Sequence, residues 1–64
     1  MKRKERKNLA IKIAEYEKII ATSTDKSQIQ QAEGMIMALS KRMTSLEDMM
    51  AVDILVQELL EQKN

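Results

Sequence analysis

Apolar residues recur along this chain in two successive patterns. In the first, Leu9, Ile13, Tyr16 and Ile20 follow one another at spacings of 4, 3 and 4. That spacing lines one face of a helix. Ile19 flanks the face and Ile11 stands nearly opposite it, a lone exposed position that needs no partner. In the second, Ile29, Ala32, Ile36, Leu39, Met43, Leu46 and Met50 recur at 3, 4, 3, 4, 3 and 4. This is the most regular pattern in the chain, and the first seam is expected to lie on it.

Between the two patterns stands "ATSTDKSQ", residues 21–28. Ser, Thr and Asp side chains bond their own backbone and compete with helix. Asp25 followed by Gln28 fits a capping box that starts a new helix, with Ser27 and Gln30 as the alternative. The pattern predicts helix A over 4–21, a turn at 22–25 and helix B over 26–62. A turn this short makes the two helices antiparallel neighbours. No strand signal competes, and the chain has no proline and one glycine. The fold class is all-α: an antiparallel helical hairpin in a single domain, 1–64, with an over-long second helix.

Helix A is too short to cover helix B. At 1.5 Å per residue its roughly 20 residues span about 30 Å, reaching only to the neighbourhood of Thr44. Beyond that point the apolar face turns. Met49, Val52, Val56 and Leu59 point roughly 200° away from the first seam. Traced backwards, their face meets Ser45, Ala38 and Gly34, all small. Gly34 inside a helix costs about 1 kcal/mol relative to Ala, which the close approach of another backbone would offset. Thr44 with Glu47 forms a second capping-box pattern. There the long helix would kink, or divide to give three helices. A single residue between helices cannot reverse the chain, so one long helix is the expectation.

In that arrangement nothing within one chain covers Val52, Val56 and Leu59. A second chain would, and a helical-bundle oligomer, a homodimer first, is the expected assembly. The expected protein interface is Met49, Val52, Ile54, Leu55, Val56, Leu59 and Leu60. The size of the chain points the same way. Sixty-four residues bury only a marginal core, and small scaffolds add disulfides, a metal or association. There is no Cys and no His, which leaves association.

Charge changes the picture at both ends. Residues 1–8 carry five basic groups and one acid, and residues 45–64 carry five acids and one Lys, while the whole chain nets +1. A chain polarised in this way favours contact between unlike ends. Lys2, Arg3, Lys4, Arg6 and Lys7, with Lys41 and Arg42 near them in the hairpin, form a possible polyanion-binding group for RNA or DNA backbone. No stacking aromatics accompany them, as single-strand binders require. Cations at a helix N-terminus also oppose its macrodipole, so residues 1–8 should fray unless an anion engages them.

Catalytic material is scarce. Without His or Cys, and with Glu15, Glu17, Glu47, Asp48, Glu58 and Glu61 on faces that read as solvated, no acid–base pair has a pocket to work in. One glycine allows no phosphate loop. No enzyme activity, cofactor or metal is expected. Six methionines, five of them on helix B, suit core packing or an adaptable contact surface. "VQELL", residues 56–60, has the spacing of groove-docking L-x-x-L-L helices with Val in the first place, a pattern any amphipathic helix supplies by chance. No apolar run reaches the roughly 18 residues of a membrane span. The expectation is an intracellular, cytoplasmic protein with no membrane partner. Its expected role is a non-catalytic interaction module, an adaptor or regulator acting as a homo-oligomer, and the alternative is a nucleic-acid-associated regulator.

Overall fold

A computed structural model describes residues 1–62, and they form three helices: α1 (Arg3–Thr22), α2 (Lys26–Ser40) and α3 (Leu46–Glu61). The chain is all-α, as the apolar spacing predicts. The first turn falls where the sequence places it. Asp25 is the N-cap of α2, and its Oδ1 accepts from the Ser27 backbone N–H at 2.9 Å. The Asp25 N–H donates to Ser23 Oγ at 3.1 Å, and that hydroxyl donates to Gln28 Oε1 at 3.0 Å. Gln28 therefore closes the cap through a serine rather than by direct contact.

The expected long second helix is two helices. Residues 41–45 form a bent link between α2 and α3. The last turn of α2 tightens there: Arg42 N–H donates to Leu39 O at 3.1 Å and Met43 N–H to Ser40 O at 3.1 Å. Such three-residue bonds take up carbonyls left unpaired at a helix end. The new helix is capped by Ser45, not Thr44. Ser45 Oγ accepts from the Asp48 N–H at 3.1 Å. A single residue could not have turned the chain, but five can, and that length is ordinary between helices.

The break changes what covers what. α1 packs against both α2 and α3, while α2 and α3 touch each other at most lightly. The Cα atoms extend over 34 × 28 × 15 Å, a flattened arrangement in which α1 is the shared packing partner of α2 and α3. α2 runs back along α1, and α3 then runs parallel to α1. Leu9, Ala10, Ile13 and Ala14 of α1, Leu39 of α2, and Val52 and Val56 of α3 make one buried cluster. Val52 is 1% exposed and Val56 5%. The expectation that a single chain leaves these two uncovered is therefore corrected. Ala10 and Ala14 explain how. Ala10 lies about 100° round the helix from Leu9, and both alanines are enclosed, at 0% and 4% exposure, on a side of α1 that the first seam does not use.

Conversely, Leu46 and Met50, which the sequence pattern assigns to the seam facing α1, are 72% and 59% exposed. The chain reversal at 41–45 rotates them outward. Ile29, Ala32, Ile36, Leu39 and Met43 remain buried or half-buried, so the seam holds as far as the break.

Gly34 does not mark a close approach within the chain. A Cβ built there meets nothing within 4 Å. Gly34→Ala should therefore raise stability by about 0.5–1 kcal/mol through helix propensity alone. Urea denaturation followed by circular dichroism checks this. A loss of stability would mean that a backbone from outside the protomer occupies the space.

Candidate protein interface

The seven residues expected at an interface divide by burial. Val52 and Val56 belong to the protomer's own core. Leu55, Leu59 and Leu60 are half-buried and pack against that core. Met49 and Ile54 are exposed, at 44% and 57%. The structure therefore separates a buried side of α3, facing α1, from an outward side carrying Leu46, Met50 and Ile54. Met49 lies between the two. It lines a groove over α1 together with Ile13, Ile36, Met43, Val52 and Val56. The outward residues are large and apolar, yet each is more than half exposed.

α3 is held in this orientation by a polar contact that sequence reading misses. Asp48 is buried, at 6% exposure. Arg6 of α1 meets it with two nitrogens: Nε donates to Oδ1 at 2.9 Å, and Nη2 lies 2.8 Å from the same oxygen. The Met1 amino nitrogen is 3.6 Å from Oδ2. The expectation that Asp48 lies on a solvated face is thus corrected. Ser45 caps α3 at the residue that puts Asp48 in its first turn, where the helix macrodipole also favours an anion. The Arg6 hydrogen bond holds the Asp48 carboxyl below the usual carboxylate range, against the opposing effect of burial and with help from Ser45 and the Met1 amino group. A Ser-x-x-Asp pattern at Ser45–Asp48 was visible in the sequence one residue beyond the pattern read at Thr44. Its partner, 42 residues away, was not.

The basic residues also divide. Arg6 is engaged by Asp48, whereas Lys2, Arg3, Lys4 and Lys7 are exposed at the start of α1. Arg42 lies beside the first turns of α1, in a surface concavity that it shares with Met1, Glu5, Leu9, Lys12 and Glu15. Lys41 is exposed in the link. Of the two cations expected beside the basic start, Arg42 is thus placed near the first turns of α1, where Glu5 and Glu15 line the same concavity.

No protein family, curated protein or solved structure matches this chain. Among the described residues no helix is long and apolar enough to cross a membrane. No group of three or more Asp or Glu residues among them is arranged to hold a metal ion. The surface offers hydrophobic contact and charge, and the outward side of α3 concentrates the former.

Proposed function

We propose that the protein is a non-catalytic helical interaction module that associates with itself and makes its contact through the outward side of α3. The observation that supports this most is the run of Leu46, Met50 and Ile54, each more than half exposed on a single helix. Scattered apolar residues on a surface are ordinary, but a contiguous row signals a contact site. Methionines at Met49 and Met50 add adaptability to that surface. The small core supplies a second motive, since a chain of this length gains stability by burying surface against another.

The test is solution mass by light scattering across a range of concentrations. The protomer weighs 7.4 kDa, and the wild-type mass should rise to a multiple of it. Ile54→Asp should weaken association at least tenfold and return the mass to that of the protomer with helicity unchanged, because it sets an unpaired carboxylate in an apolar contact. A wild-type mass that stays at one protomer throughout would end this reading.

Binding of nucleic-acid backbone is the second reading. It draws on Lys2, Arg3, Lys4 and Lys7 with Arg42 close by. It is weaker because Arg6 is taken up within the protomer and Glu5 and Glu15 line the same surface concavity as Arg42.

A further inference from the structure

Leu46, Met50 and Ile54 are spaced four residues apart, so each is rotated only about 40° from the last and the three form one stripe. We propose that this stripe packs on the same stripe of a second copy, with the two α3 helices antiparallel and Met50 at the two-fold axis. The proposal rests on α3 being the contact surface and adds the occupant and its direction.

The stripe is self-complementary in one direction. In a two-fold interface the same patch meets itself, so that if one residue touches another across it, the reverse contact also exists. Turned about Met50, the stripe sets Leu46 against Ile54 of the partner subunit, and Met50 against its own counterpart. Both exchanges match large apolar side chains.

Charge favours the same direction. α3 carries Glu47, Asp48, Asp53, Glu58 and Glu61, and no cation. Parallel packing would set each carboxylate level with its twin. Antiparallel packing about Met50 separates the two copies of Glu47 by about 9 Å along the axis and those of Glu58 by about 24 Å. Glu47 and Asp53 of the partner subunit then share a level, but they fall on opposite flanks of the stripe.

The basic end completes the match. The contact of Arg6 with Asp48 at 2.8 Å fixes the start of α1 beside the start of α3. Lys2, Arg3 and Lys4 therefore lie at the Leu46 end of the stripe. Glu58 and Glu61 lie about 12 and 17 Å beyond Met50 at the other end. Antiparallel packing carries these acids of one copy to the basic end of the other, while parallel packing leaves acid beside acid and base beside base. Helix macrodipoles also oppose each other favourably when antiparallel.

The chain has no native cysteine, so each single substitution introduces the only thiol. Under mild oxidation Met50→Cys should give a disulfide-linked dimer well above the collisional yield set by Glu33→Cys on exposed α2. Leu46→Cys and Ile54→Cys should each cross-link poorly alone, and an equimolar mixture of the two should give the mixed dimer. Helicity of each variant is checked by circular dichroism. Efficient cross-linking of Leu46→Cys and Ile54→Cys each with itself would mean parallel packing and overturn the proposal. A wild-type mass of two protomers with no cross-link above background at any stripe position would also overturn it, while leaving a self-associating module in place. A wild-type mass of one protomer at every concentration would remove both.

Discussion

Val52→Asp should leave the chain unfolded at room temperature and neutral pH, whereas Ile54→Asp, two residues further along α3, should leave it helical. Val52 is the largest side chain among the described residues that is essentially closed to water, at 1% exposure. Its replacement forfeits about 1.5–3 kcal/mol of apolar burial. It also leaves a carboxylate with no partner in the apolar cluster, a further cost of several kcal/mol. Against this, a protein of 64 residues holds a total of only about 3–10 kcal/mol. The milder Val52→Ala should cost about 2 kcal/mol, which lowers Tm by roughly 8–16 °C in a domain of this size. Circular dichroism and thermal melts read both. A Val52→Asp protein that stays helical with an unchanged melt would mean that α1 does not cover α3. Val56→Asp should fail in the same way and report on folding rather than on association. At 5% exposure Val56 belongs to the protomer core, so that substitution would abolish folding whatever the assembly.

The second large effect concerns Arg6 and Asp48, and it should be lopsided. Asp48 is the more buried partner, its side chain 8% exposed against 27% for Arg6. Arg6→Met leaves a carboxylate that is largely closed to water with only the Met1 amino group near it, so Tm should fall on the order of 10 °C, far more than loss of a surface ion pair would cause. Asp48→Asn should cost less, because the freed guanidinium can turn to solvent. The double variant Arg6→Met with Asp48→Leu should recover much of the loss, as apolar replacements of buried pairs do.

Acid separates these cases further. The folded Asp48 carboxyl ionises below its ordinary value, chiefly through its bond to Arg6. Its stabilising effect is therefore complete above the unfolded value of about 3.9 and fades as pH falls through the lower folded value. In Arg6→Met the largest lowering effect is gone and burial is opposed only by Ser45 and the Met1 amino group, so the variant should lose less on acidification. The Tm gap between wild type and Arg6→Met should narrow from pH 7 to pH 3. A gap that is constant across that range would show that the pair does not couple to protonation.

The helices themselves were legible because their causes are local. Seam spacing, good helix formers and the Asp25 cap are all contained within a few residues. The break at 41–45 is signalled only by the capping-box pattern at Thr44, the alternative reading that divides the long helix into two, because the apolar spacing runs through it undisturbed. Met43, Leu46 and Met50 keep the 3–4 rhythm on both sides of the link, and neither Gly nor Pro marks it. Periodicity records that two segments are helical. It does not record that the chain has reversed between them. The second apolar face, at Val52 and Val56, does require cover, and the protomer's own core supplies it. The spacing points to another molecule instead because the enclosure of Ala10 and Ala14 leaves no signal in a pattern of large apolar residues. The contact of Arg6 with Asp48 joins residues 42 apart, and a pairing at that distance depends on a topology the sequence pattern does not contain.

The central place of α1 has a consequence for how the sequence can vary. A change on α2 or α3 disturbs one seam, whereas a change on α1 can disturb both. Ala10, fully enclosed at 0% exposure, is the extreme position. An added methyl group there has no solvent to move into and no flexible neighbour on its own short side chain. It must push a whole helix aside. The smallest side chain in the core is thus among the least replaceable, and substitutions should be tolerated better along the flanks of the molecule than along its spine.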